Sequence, residues 1–180
     1  MVSINAEGEW VVEKEFLLLG KPINELIWTD DGEHLIACGE GDVKKCNGIK
    51  VSNTSTIGDI FGHDGNVIAA AITAKPHTLI SAGEGKEMLM HPGMPFKGQG
   101  TRIDHGHTKD INRIKISPDG SKFASVSGDK LVNIYDTEKF EKQKSFQAHK
   151  MGIYDLLWID NETIATCSAD NKVKTWNVED

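Results

Sequence analysis

The 180-residue chain has 20 basic and 27 acidic residues, a formal net charge of −7, with 38% hydrophobic and 26% charged positions. Such a length and balance suit one globular core, and the acidity argues against broad binding to nucleic acid or an anionic membrane, which needs clustered Lys and Arg. No apolar run is long enough for a spanning helix, and Cys38, Cys46 and Cys167 are too few and too scattered for a disulfide framework or a zinc spacing, so a reducing, cytoplasmic setting is expected.

In chain order, MVSINAEGEW lacks the basic start and apolar stretch of a signal peptide. WVVEKEFLLL (10–19) reads as a lone strand. PINELIWTDDGEHLIACGEG (22–41) reads as two strands around a DDG turn, and GHDGNVIAAAITAKPHTLISAGEGKEMLMH (62–91) repeats the texture. HPGMPFKG then reads as a rim loop. INRIKI, SKFASVS and LVNIYD follow as strands separated by SPDG and GDK, and IYDLLWI, TIATCS and KVKTWN close the chain. No segment sustains helical periodicity, so the fold class is all-β with regularly spaced strands. The N-x-S/T triplets at Asn53 and Asn161 read as chance.

The strands belong to a repeat. His107, Ser125, Asp129 and Tyr135 recur as His149, Thr166, Asp170 and Trp176, with hydroxyl-to-Asp and Asp-to-aromatic gaps kept. A weaker copy keeps His63 and Ser81 but has Gly85 and His91 at the other two positions, and the copy at 22–41 lacks the set. An Asp in a tight turn can hold His, His can meet the hydroxyl, and the hydroxyl can meet the aromatic donor, which satisfies polar groups that would otherwise be buried alone.

Repeats of this length, opening on GH or AH and ending on YD or WN, resemble WD-repeat β-propeller blades, four-stranded sheets with strands a to d running outward. The resemblance implies about four blades, a partial propeller or a piece of a seven-bladed ring. The expected divisions are 1–20 with an outer strand d, degenerate blades at 21–61 and 62–104, and WD-type blades at 105–148 and 149–180, the last lacking strand d. On this reading 10–19 closes the ring against KVKTWN. LIACGEGDVKK, IGDIFGHDGNV and HPGMPFKG further resemble the N-terminal propeller of the actin-interacting protein 1 family, with Met94, Gly98 and residues 50–54 departing from its pattern.

That resemblance implies a non-enzymatic module that binds actin filaments with a cofilin-type protein and promotes disassembly, with Glu40, Asp42, Glu84, Phe96 and Lys97 as contacts. Phe96 is expected as an exposed anchor, the other reading of GMPFKG being a polar loop with a packed Phe, and the acidic b–c turns, if the blades align, as a patch that steers a basic partner rather than as plain solvated turns. The alternative is a WD-repeat scaffold subunit of another assembly. Other motifs read as structural. His, Ser and Asp form no nucleophile elbow, HGH at 105–107 has no third metal ligand, and GEGK at 83–86 lacks the phosphate-loop spacing. No catalytic residue, metal or cofactor is expected.

Overall fold

The computed structural model describes residues 2–12, 14–42, 44–74 and 76–179. All regular structure among them is β. The chain opens on a hairpin of β1 (Val2–Ile4) and β2 (Trp10–Val12). The first blade follows as β3 (Ile23–Trp28), β4 (His34–Gly39), β5 (Cys46–Lys50) and β6 (Thr56–Phe61). The second holds β7 (Val67–Ile72), β8 (Thr78–Gly83) and β9 (Met88–Pro92), and is followed by β10 (Phe96–Gln99) and the short β11 (Thr101–Arg102). The third comprises β12 (Ile111–Ile116), β13 (Lys122–Ser127), β14 (Leu131–Asp136) and β15 (Lys142–Gln147). The last has β16 (Ile153–Trp158), β17 (Thr163–Ser168) and β18 (Val173–Asn177).

Each blade is an antiparallel meander, because turns of Gly, Asp and Asn join strands of alternating or wholly apolar residues. The repeat extends to irregularities. The first two strands of every blade shift register near their start, at Ile23/Glu25, Val67/Ala69, Ile111/Arg113 and Ile153/Asp155. Strands β3, β7, β12 and β16 pack side by side in chain order, and no comparable packing brings β16 onto β3. The blades therefore form an arc of a propeller.

The core lies between blades. Ile36, Cys38, Cys46, Ile57 and Ile60 meet Val67, Ala70 and Leu79 at the first junction. Ala69, Ile80 and Met88 meet Ile111, Ile114 and Phe123 at the second. Ala124, Val126, Val132 and Ile134 meet Ile153, Leu156 and Ile164 at the third. Arg113 also joins strands across the inner edge, contacting Glu25 of the first blade at 2.5 Å and Asp155 of the last at 2.8 Å.

Three expectations are corrected. The strand expected over 10–19 is only Trp10–Val12, and it pairs with β1. It does not pair with β18, which edges a three-stranded sheet. The segment HPGMPFKG is not a rim loop. Its strand β10 leaves the second blade and pairs, parallel, with β6 of the first, so the second blade ends on the two-residue β11. Finally, Cys38 and Cys46 are not scattered in space. They face each other across β4 and β5 and form a disulfide, because a hairpin brings residues eight apart into register.

Candidate interaction surface

The polar quartets organise one end of the blades. In the last blade His149 Nδ1 donates to both oxygens of Asp170 at 3.1 Å, and Nε2 accepts from the Thr166 hydroxyl at 2.8 Å. Trp176 Nε1 donates to Thr166 Oγ1 at 3.0 Å. In the third blade His107 reaches Asp129 at 3.0 Å and Ser125 at 2.7 Å. Tyr135 differs. Its hydroxyl donates to the His105 carbonyl at 2.9 Å and lies 3.3 Å from Ser125. Burial pushes the Tyr135 phenol up to about 12, so it is a neutral donor there. Burial also pushes His107 down, against the attraction of Asp129. For Asp129 and Asp170 burial acts upward, but the net shift is down. Backbone N–H groups of Thr108 and Leu131 hold the first carboxylate, and those of Lys150 and Lys172 the second, each helped by its histidine.

The second blade builds a substitute that the spacing rule missed. His63 Nε2 lies 2.7 Å from Ser81 Oγ. No Asp stands four residues after Ser81, but buried Glu87 takes over. Its Oε2 accepts the Asp64 amide at 3.0 Å, as Asp129 accepts that of Thr108, and Arg102 holds its other oxygen at 2.5 Å. The signal was the Glu six residues after Ser81, whose longer side chain reaches back. His91, at the aromatic position, is fully buried with neither ring nitrogen hydrogen-bonded. Burial pushes both His63 and His91 down to about 4.

This construction places the b–c turns alike. The first residue after the second strand donates its amide back to the start of that blade: Glu40 to Pro22, Glu84 to Asn66, Gly128 to Asp110 and Ala169 to Gly152. Glu40 and Glu84 thus occupy matching positions in adjacent blades, half-buried and exposed respectively. Asp42 is exposed but paired with Lys21 at 2.6 Å, which lowers its pKa.

Phe96 contradicts the expectation of an exposed anchor. It is 0% exposed and belongs to the core between the first two blades. The physical reason is the strand switch. Pairing of β10 with β6 carries the ring into the junction, and Gly58, opposite Phe96 with φ of +122°, has no Cβ to collide with the Phe96 carbonyl. Lys97 lies on the same strand, but its side chain is outside the described residues. The HGH histidines are both engaged, His105 with the Lys86 carbonyl and the His107 amide, and His107 in its quartet.

The family model for the WD domain, G-beta repeat, matches residues 98–136 and 140–177. The chain carries WD40 repeats. They begin within the strand switch and cover the two blades with complete quartets. Across almost its whole length the chain is similar to longer proteins. It is 32% identical over 95% of its residues to "Actin-interacting protein 1" of Drosophila melanogaster, and 30% identical over 96% to "WD repeat-containing protein 1" of Bos taurus. It is 32% identical over 83% to "Actin-interacting protein 1-2" of Arabidopsis thaliana. The chain spans 28%, 29% and 25% of these relatives, less than a third of each. No helix among the described residues is long and apolar enough to cross a membrane.

Proposed function

We propose that this WD-repeat chain is a non-enzymatic module that binds actin filaments together with a cofilin-type factor and favours their disassembly, in a cytoskeletal setting. The observation that carries the reading is the similarity to a protein named for interacting with actin, at 32% identity over 95% of the chain. The matching placement of Glu40 and Glu84 supports it, since two like charges on one end of adjacent rigid blades steer a basic partner. Asp42 joins them as a weaker contributor because Lys21 offsets its charge. Disassembly needs no bond chemistry from such a module. Tighter binding to the decorated, breaking filament than to the intact one is sufficient.

The test is filament sedimentation with and without a cofilin-type factor. The chain is expected to raise the unsedimented actin only when the factor is present, and Glu40→Lys with Glu84→Lys to reduce that effect, most at low salt, where charges are least screened. An effect absent with the factor, while the chain is folded, leaves the alternative of a scaffold subunit in another assembly.

A further inference from the structure

We propose that Asp30, Asp31 and His77 form a binding site for a divalent cation of the zinc type at the junction of the first two blades. The residues come from equivalent connections. Asp30 and Asp31 lie in the turn between β3 and β4, and His77 in the turn between β7 and β8. Their ligand atoms all lie within 4.8 Å of one another. His77 is only 9% exposed, and its Nε2 is buried with no hydrogen bond. That nitrogen faces Asp30 Oδ1 at 3.6 Å and Asp31 Oδ2 at 3.9 Å, too far for a direct hydrogen bond.

The surroundings are prepared for a cation. His77 Nδ1 lies 3.2 Å from the Thr73 carbonyl, which places the proton on Nδ1 and leaves the Nε2 lone pair toward the carboxylates. Asp31 Oδ1 is occupied by the Thr29 hydroxyl at 2.5 Å and the Glu33 amide at 2.9 Å, leaving Oδ2 for the site. These bonds hold the Asp31 carboxyl down at about 2, so it is ionised. His34 stands behind, its buried Nδ1 also without a hydrogen bond and 3.7 Å from Asp31 Oδ1.

A lone pair and two carboxylates gathered without a bridging proton repel one another, and a cation removes that cost. Tetrahedral bonds of about 2.0–2.2 Å span ligand edges of roughly 3.3–3.6 Å, so His77 Nε2 stands within a few tenths of an ångström of the required separation from each carboxylate. Imidazole favours zinc and its transition-metal neighbours over calcium or magnesium. Asp30, 53% exposed, leaves a path from solvent and room for a water as fourth ligand. The bound ion would fasten the first blade to the second at the outer end of their inner strands.

Chelator-treated protein is titrated with Zn²⁺ by calorimetry and with Co²⁺ by visible absorption. We expect one ion per chain, tetrahedral-type Co²⁺ bands, and a loss of affinity of about tenfold or more in both His77→Gln and Asp30→Asn. His105→Gln, outside the site, should bind as the wild type does. Asp30→Asn keeps the test decisive if His77→Gln fails to fold, because the Asp30 side chain is half exposed. Zn²⁺ binding that is absent in the wild type, or equal in wild type and both variants, overturns the site. So does binding of Ca²⁺ in preference to Zn²⁺.

Discussion

Trp176 and Tyr135 occupy matching positions in successive blades, yet they end their hydrogen-bond chains differently. Trp176 donates to the hydroxyl of its quartet, while Tyr135 spends its proton on the His105 backbone. The His–Asp link is the same in both blades, so the carboxylate is the shared element of stability. Asp129→Ala should cost about 1–3 kcal/mol in chemical denaturation, since it leaves His107 and the Thr108 amide without their acceptor. Asp64→Ala, on an exposed turn, should change stability by no more than about 0.5 kcal/mol. Equal costs would contradict the quartet's role. The histidines of the second blade make stability depend on acid. Burial lowers the folded-state values of His63 and His91 to about 4, below the ordinary 6.5. Between those values the unfolded chain binds more protons, so stability rises with pH across the window and is lost as pH falls from 6.5 toward 4. His91→Leu removes two unpaired buried nitrogens and should both stabilise the fold at neutral pH, by about 1 kcal/mol, and flatten this acid limb. An unchanged slope in urea titrations across that window would show that His91 does not titrate on unfolding.

At the scale of the element, the switched strand β10 is the chief departure from a simple row of blades. Phe96→Ala should lose about 3–5 kcal/mol of stability, because it empties a site in the core between the first two blades. Thermal melting checks this, and a variant as stable as the wild type would place the ring outside the core. The sequence made the strands and both complete quartets legible, because His, hydroxyl, Asp and aromatic residues at fixed gaps leave one consistent register. It also made Glu40 and Glu84 legible as matching turns. The strand switch was hidden, since MPFKG carries no mark of its partner, and Gly58, which makes room for it, is opposite Phe96 in space but far from it in sequence. Glu87 was hidden because a longer side chain acts from a different position, and Cys38–Cys46 because only the register of β4 on β5 brings the two sulfurs together.

At the scale of the molecule, both ends of the arc display surfaces that blades elsewhere cover. Trp158 Nε1 donates to the Lys115 carbonyl of the blade before it. Trp28, at the same place in β3, has no blade before it in the arc and is 49% exposed. At the other end Ala165, Cys167 and Val173 match Ala124, Val126 and Val132, which pack on the last blade, yet they line an open groove of about 160 Å³. These faces should make the isolated chain self-associate at high concentration. Val173→Asp, at a position 74% exposed, should reduce the association in sedimentation velocity without lowering the melting temperature. Association unaffected by this change would point to another contact surface. The proposed recognition of a filament through Glu40 and Glu84 is checked by actin sedimentation with a cofilin-type factor, comparing the chain with its Glu40→Lys, Glu84→Lys form. Factor-dependent release of actin is expected from the first, and a reduced release, most marked at low salt, from the second. Equal release by both forms, or none by a folded wild-type chain, would contradict that recognition.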